Sequence, residues 1–214
     1  MSLMTRTEPR THLSVELLEA RDLPAILTVD AAANLRAIDP NIYGTAYATT
    51  TQLQNLNIGL HRMGGNNTSR YNWQVNADNR GSDWYFQSIA DGSATAGERG
   101  DTFIQNARNA NAQAMMTIPT VGWVAKVGPN RTKLASYLIS RYGPQTGNDW
   151  QWFPDAGNGI RASDGRPITW NDPNDASVPA GVSFQQGWVQ HLLNRWGPAD
   201  SGGLRYYILD NEPS

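Results

Sequence analysis

The chain has 214 residues, a net charge of −2 and no cysteine, so disulfides, thiolate metal sites and cysteine nucleophiles are excluded. Its 17 Lys and Arg residues form no basic run and give no electrostatic reason to expect nucleic acid. The mean hydropathy is −0.53, and no apolar stretch approaches the roughly 18 residues of a membrane-spanning helix.

The first 40 residues are predicted to form two parts. Residues 1–24 are expected to be a separate N-terminal segment, either export-related or disordered, and the alternative is a charged amphipathic helix over 15–22. They lack the ~7–15 consecutive apolar residues of an ordinary secretory signal. Residues 25–40 hold two β-like stretches, 25–29 and 34–38, which Asp39-Pro40 ends.

Residues 41–214 alternate between short buried strands and helices. Strands are predicted to start at Ile42, Ile58, Ala114 and Leu204. Helices are predicted over 101–111, with Asp101 as the capping residue, over 133–141 and over 184–196. This order favours parallel β/α units, and four strands are about half of the eight in a (β/α)₈ barrel.

Two long segments between these elements, 66–83 and 145–179, have no clean hydrophobic period and are predicted to be ordered loops. Loops of this length inside a compact domain usually carry function. The chain has 8 Trp and 8 Tyr but only 4 Phe. Aromatic rings with a polar edge suit half-wet surfaces such as sugar-binding clefts, although ordinary core and rim packing explains the composition equally well. Trp188 and Trp196, on the last helix, are predicted core residues.

The last predicted strand ends in Asp210-Asn211-Glu212-Pro213. Catalytic groups of β/α barrels sit at the carboxyl ends of strands, and glycoside hydrolysis generally uses two carboxylates that flank the scissile bond. Pro213 biases Glu212 away from helical geometry, so the strand is expected to end there. Glu212 is therefore a candidate catalytic carboxylate, with a solvated strand end as the alternative.

Several separate blocks together resemble glycoside hydrolase family 44. They are Ile42-Tyr43-Gly44, the stretch over 62–84 (RMGGNNTSRYNWQVNADNRGSDW), Gly122-Trp123-Val124, Asp172-Pro173 and the stretch over 206–213. The likeness runs from about Leu27 to Ser214. It implies a retaining endo-β-1,4-glucanase, often active on xyloglucan, with a barrel domain and a β-sandwich built partly from N-terminal strands such as those in residues 25–40.

The resemblance implies a role for individual residues of this chain. Glu212 takes the acid/base position, and Asn211 beside it contacts a substrate hydroxyl. The expected substrate-binding residues are Arg62, Asn66, Tyr71, Trp73, Trp84 and Trp123. Arg62 either orients a catalytic carboxylate or forms a structural ion pair. Met63 replaces the usual Trp or Leu of the family, which is expected to alter the floor of the cleft.

The catalytic nucleophile is expected to be absent from this chain. Its remaining glutamates are Glu8, Glu16, Glu19 and Glu98, and none stands at the end of a predicted strand. The family's second Glu lies on a later strand, so the chain is expected to be a fragment that is inactive alone.

No cofactor is required for this chemistry, but Asp172 and Asp175 lie in an oxygen-rich loop that also contains Asp164 and Asn174. Ca²⁺ takes six to eight oxygen ligands, and family members hold a metal near such a loop. The alternative is turn capping by Asx side chains.

The expected partner is a β-glucan, with no nucleic acid and no membrane span, and a monomer at full length. Residues 10–24 resemble a short motif of exported bacterial proteins, through Leu18-Glu19-Ala20-Arg21-Asp22-Leu23-Pro24. An extracellular or cell-surface location follows from it. Two other functions stay open: a non-catalytic carbohydrate-binding surface protein, and a related barrel glycosidase that acts on mannan or xylan.

Overall fold

The structure, a computed structural model, describes residues 30, 33 and 35–211. The predicted helix over 15–22, the predicted strand over 25–29 and Glu212 lie outside the described residues. The chain divides into two units, residues 1–37 and 38–214. Residues 35–38, expected to be part of a strand, have no regular secondary structure, so that prediction is wrong for them.

The second unit contains four α-helices and eleven short strands among the residues described. The helices are α1 Thr50–Asn55, α2 Glu98–Asn109, α3 Ile139–Tyr142 and α4 Val182–Trp196. The strands are β1 Gly44–Ala46, β2 Leu60–Met63, β3 Ala77–Asn79, β4 Gln87–Ala90, β5 Gln113–Ile118, β6 Trp123–Ala125, β7 Leu134–Ala135, β8 Asn148–Asp149, β9 Phe153–Gly157, β10 Ser177–Pro179 and β11 Tyr206–Leu209. Short 3₁₀ helices span Pro40–Ile42, Asn66–Arg70, Gly81–Trp84, Pro129–Arg131, Pro173–Asp175 and Ala199–Ser201.

The centre of this unit is a four-stranded parallel sheet in the order β1-β2-β5-β11. Its strands are the four predicted from the sequence, and helices α1, α2 and α4 provide connections between them. The α/β class is therefore confirmed. In the part of the chain that the structure describes, the sheet is open, with β1 and β11 at its edges.

Alternation along the strands separates two faces of the sheet. Met63, Met116 and Ile118 point to the helix layer, where they pack with Ile104 of α2 and Trp188 of α4. Trp188 is 1% exposed and Trp196 packs against the same cluster, which confirms both as core residues. Met63 therefore does not form the floor of a cleft, because its side chain lies in the hydrophobic core.

Two predicted helices differ from the structure. Helix α2 begins at Glu98 after Gly97, which has a left-handed φ of 76°. Asp101 lies inside the helix and accepts a hydrogen bond from Trp196 Nε1 at 2.7 Å, so it is no cap. The predicted helix over 133–141 shortens to α3, because Leu134 pairs with β4 as part of β7. The prediction for α4 is confirmed.

The segments predicted as loops contribute strands to small antiparallel sheets: β3 belongs to the sheet β3-β4-β7, β10 pairs with β6, and β8 pairs with β9. These segments lack a hydrophobic period because asparagines occupy some of their buried positions. Asn72 and Asn79 are buried and donate to the carbonyls of Ala125 and Phe86, at 2.7 and 3.0 Å. Side-chain amides thus take the place of apolar residues in holding these segments together.

Candidate active site

The carboxyl ends of β2, β5 and β11 lie side by side, because the three strands are parallel neighbours in the sheet. The loops that follow them begin at Gly64, Pro119 and Asp210. Ligand sites of α/β proteins form outside this edge of the sheet. The residues predicted from sequence at the ends of β2 and β11 are therefore neighbours in space.

Arg62 and Asn211 contact each other directly. Arg62 Nη2 donates to Asn211 Oδ1 at 2.6 Å, and the backbone N–H of Gly65 donates to the same oxygen at 2.7 Å. Both neighbours can only donate, so the Asn211 oxygen must face them and its Nδ2 must face away. Within the described residues, no acceptor is recorded for that Nδ2 group. Asn211 thus presents a fixed hydrogen-bond donor at the end of β11.

Two glycines make this contact possible. A Cβ atom on Gly64 would lie 2.5 Å from Arg62 Cζ, so only glycine leaves room for the guanidinium along the backbone. Gly65 has φ 92° and ψ 168°, a conformation available essentially to glycine alone. The pair Gly64-Gly65 therefore shapes the loop around the side chain of Arg62.

Asp210 lies beneath Asn211 and is 4% exposed. Its Oδ1 accepts from Ser69 Oγ and from the Asn211 N–H, and its Oδ2 accepts from the N–H and Oγ1 of Thr120 at 3.0 and 3.1 Å. Burial opposes its ionisation, but these hydrogen bonds together outweigh burial and lower the pKa of Asp210. Asp210 is therefore a charged, fully satisfied anchor.

Sequence reasoning missed Asp210, Ser69 and Thr120. The signal available was weak: an Asp immediately before Asn211, and a hydroxyl residue after each of two neighbouring strands. The geometry of Glu212, the central predicted residue, lies outside the described residues. It follows Asn211 in the sequence.

Asn66, Trp84 and Trp123 keep accessible surface. Asn66 is exposed and donates through Nδ2 to Asp83 Oδ2 at 2.7 Å, which ties its loop to the residue before Trp84. Trp84 is 38% exposed, and Trp123 on β6 is half-buried. These three side chains retain the accessibility that substrate contact requires.

Tyr71 retains almost no accessible surface. The ring is 2% exposed, Arg99 lies over it at 5.4 Å, and its hydroxyl donates to Asn76 Oδ1 at 2.7 Å. Desolvation by burial raises the pKa of this phenol strongly. Protein groups surround the ring and the hydroxyl of Tyr71, and its expected role in substrate binding stays a prediction.

Trp73 is half-buried and packs on the hydrophobic core. Its ring stacks on Trp188 with centroids 5.8 Å apart and contacts Phe184 and His191 at 6.1 and 5.6 Å. Trp188 covers one ring face of Trp73, and the expected role of Trp73 in substrate binding stays a prediction. The most exposed tryptophans are Trp150 (75%), Trp152 (62%) and Trp170 (57%).

Asp172 and Asp175 do not fit a calcium site. Arg141 forms ion pairs with both carboxylates, and the Tyr142 hydroxyl donates to Asp175 Oδ2 at 2.6 Å. Asp172 Oδ1 accepts from the Asn174 N–H at 2.9 Å, which is the turn-capping alternative. Over the described residues, no group of three or more Asp, Glu, His or Cys could hold a metal ion. A guanidinium between two carboxylates repels a cation, so the calcium expectation is not supported.

A cavity of about 910 Å³ lies between α4 and the ends of β5 and β11. Its walls include Ile118, Val182, Val189 and Leu209, and they include neither Arg62 nor Asn211. It is a mainly apolar space beside α4, and it reaches the polar edge described above at Thr120, which also lines it. No helix in the described part of the chain is long and apolar enough to cross a membrane.

Comparison with known proteins identifies the family to which the chain belongs. The profile of glycoside hydrolase family 44 matches residues 77–214. The solved structure of CelM2, a bifunctional glucanase-xylanase from a metagenome library, is 66% identical with a TM-score of 0.81, covering 83% of this chain and 34% of that one. A xyloglucanase from Paenibacillus polymyxa is 26% identical with a TM-score of 0.55, covering 83% and 33%.

A curated relative, the beta-mannanase/endoglucanase A of Caldicellulosiruptor saccharolyticus, is 26% identical over an alignment of 203 residues that covers 87% of this chain and 13% of that protein. The family match spans more than half of the chain, so the protein belongs to glycoside hydrolase family 44. The chain spans about a third of the length of the solved structures it matches.

Proposed function

We propose that this chain is part of a retaining endo-β-1,4-glucanase, in which Glu212 is the acid/base and Asn211 contacts a substrate hydroxyl. The observation that carries the proposal is the orientation of the Asn211 amide. Arg62 and Gly65 hold its oxygen at the end of β11, which leaves its Nδ2 group free to donate. A hydrogen bond to the sugar 2-hydroxyl strengthens in the transition state. Glu212 is the next residue in the chain.

The chemistry uses two carboxylates and no cofactor. Glu212 protonates the leaving oxygen, and the nucleophile comes from a part of the enzyme that follows this chain. Retention requires the two carboxyl groups to lie about 5–5.5 Å apart. The activity is therefore proposed for a longer polypeptide, and this chain alone is expected to be inactive.

The substrate is proposed to be a β-1,4-glucan of the cellulose or xyloglucan type. The names of the relatives refer to glucanase, xyloglucanase, xylanase and mannanase activities, all on β-linked polysaccharides. Asn66, Trp84 and Trp123 are proposed substrate contacts because they stay accessible. The choice among these backbones depends on residues from both halves of the cleft.

The parallel sheet is proposed to be the first half of a (β/α)₈ barrel. Two features support this: β11 is an edge strand, and an apolar cavity beside it leaves Leu209 66% and Val182 75% exposed. A following β/α unit would cover such a flank. The further proposals are an accessory sandwich that includes residues 25–40, a monomeric full-length enzyme, and an extracellular location consistent with the motif in residues 10–24.

The decisive experiment substitutes Glu212 in the longer enzyme. General acid assistance is worth typically 10²–10⁴-fold, so Glu212→Gln should reduce xyloglucan hydrolysis by about that factor. An aryl glucoside with a good leaving group needs little protonation, and its glycosylation step should be much less affected. Azide should partly rescue the variant and give a β-glycosyl azide.

The control is Glu98→Gln, since Glu98 begins α2 and its carboxylate accepts from Ser93. That variant should retain normal activity. An α-glycosyl azide from Glu212→Gln would identify Glu212 as the nucleophile. Full activity of Glu212→Gln would remove Glu212 from the mechanism.

A further inference from the structure

Asp210 has an unusual conformation for its position. It directly follows β11, and its φ of 60° is in the left-handed region, which only a few per cent of non-glycine residues adopt. Asp and Asn are the side chains best suited to it, because their short polar groups can bond the local backbone. Here Asp210 Oδ1 accepts from the next N–H, that of Asn211, at 2.7 Å.

The same carboxylate joins three separate loops. Ser69, from the loop after β2, donates to one oxygen, and Thr120, from the loop after β5, donates twice to the other. Ser69 and Thr120 are 141 and 90 residues away in the chain. Asp210 thus fixes the two loops that border Asn211 relative to the end of β11.

Asp210 cannot itself be the missing second carboxylate. It is 4% exposed, and both of its oxygens are occupied by protein donors. An anion held in this way is a poor nucleophile and a poor proton donor. Its contacts point to a different contribution to the same site.

We propose that Asp210 is a positioning residue that sets the orientation of the Asn211 amide. Asp210 connects the loop of Ser69 to β11, and this holds Gly65 and Arg62 in contact with Asn211 Oδ1. Asn211 Nδ2 is thereby oriented to donate to a sugar hydroxyl. The contact between Asn211 and a sugar hydroxyl rests on the proposed function. The fixed orientation of the amide rests on its contacts with Arg62 and Gly65.

The first test uses the 214-residue chain and requires no activity. The measurement is the NMR order parameter of the Asn211 side-chain amide, which is about 0.85 for rigid groups and below 0.6 for flexible ones. The wild type should be in the rigid range. Asp210→Gly keeps the backbone conformation accessible but removes the carboxylate, and it should move Asn211 into the flexible range.

Two variants and one control isolate the carboxylate. Asp210→Asn tolerates the same φ and keeps one acceptor oxygen, so its order parameter should fall between wild type and Asp210→Gly. Ser69→Ala removes one donor and should also be intermediate. The control Asp39→Gly removes an exposed Asp that also accepts from a following backbone N–H, that of Asn41, at 2.9 Å. It should leave Asn211 unchanged. A rigid Asn211 in Asp210→Gly would overturn the proposal.

The second test measures turnover in the longer enzyme. A displacement of about 1 Å at a catalytic centre can cost 10²-fold, so Asp210→Gly should lower kcat by about that factor while KM changes less than about threefold. The loss should be the same for good and poor leaving groups, unlike that of Glu212→Gln, because a hydroxyl contact acts whatever the leaving group is.

A double substitution tests whether the effect passes through Asn211. Asp210→Gly combined with Asn211→Ala should be no slower than Asn211→Ala alone. Losses that multiply would overturn the proposal. If Glu212→Gln keeps full activity while Asn211 becomes mobile in Asp210→Gly, the acid/base assignment fails and the positioning role stands.

Discussion

His61 allows a quantitative prediction about pH. Its imidazole is 2% exposed and stacks on Phe103 with centroids 4.0 Å apart, and neither ring nitrogen has a hydrogen-bond partner among the residues that the structure describes. Burial lowers the pKa of His61 to about 4, against about 6.5 in an unfolded chain. The unfolded state therefore takes up a proton at a pH where the folded state cannot, and folding becomes less favourable as the pH falls through 6.5.

The size of this effect follows from the two pKa values. Between pH 7.5 and pH 5, proton uptake by unfolded His61 should remove about 2 kcal/mol from the free energy of unfolding. The loss continues until pH 4 and reaches about 3 kcal/mol in total. His61→Leu has no titrating group and an apolar side chain suited to Phe103, so it should not show this loss.

The assay is urea unfolding of both proteins from pH 7.5 to pH 5. Carboxylates titrate in both proteins and cancel in the difference, which isolates His61. The difference in unfolding free energy should widen by about 2 kcal/mol towards pH 5, in favour of His61→Leu. Parallel pH profiles for the two proteins would show that His61 is protonated in the folded state or exposed, and the argument from burial would be wrong.

Three further predictions follow from the side-chain contacts. Tyr71→Phe should lose about 1 kcal/mol of stability in urea unfolding with unchanged glucan affinity, and weakened affinity would restore Tyr71 as a substrate contact. Millimolar Ca²⁺ or EDTA should leave the melting temperature unchanged, because Arg141 occupies the space between Asp172 and Asp175; a rise with Ca²⁺ would contradict this. Trp150→Ala should not reduce stability, since the ring is 75% exposed, and a clear drop in the unfolding midpoint would show that it packs.

The strands of the central sheet could be predicted because each has a short apolar run that ends in polar or small residues. Met63 and Met116 face the helices on neighbouring strands, and such alternation is visible in a sequence. The bounds of α2 were harder to predict. The helix begins directly after Gly97, which has no side chain to cap it. Asp101, whose side chain would suit a cap, lies inside the helix and accepts a hydrogen bond from Trp196.

The order within the long loops could not be predicted from periodicity. Asn72, Asn76 and Asn79 are buried and hydrogen-bonded. From sequence alone, a polar residue is expected to be exposed far more often than buried. The burial of Tyr71 was unforeseen for the same reason, because its hydroxyl has a buried amide partner in Asn76. Sequence reasoning identifies which residue types could bind a sugar, but their burial depends on partners that lie in other loops.

The contacts of Asn211 and Asp210 bear on how the proposed enzyme assembles its site. The partners of these two side chains include Arg62 and Gly65 at the end of β2, Ser69 in the loop that follows it, and Thr120 in the loop after β5. The surroundings of Asn211 are therefore organised by the ends of β2, β5 and β11. Under the proposed function, a following segment would add the nucleophile at the correct separation, together with cover for the apolar flank of Leu209 and Val182. Precision in the proposed site would then depend on how that flank is packed, because the position of Asn211 is already fixed by its contacts with Arg62 and Gly65.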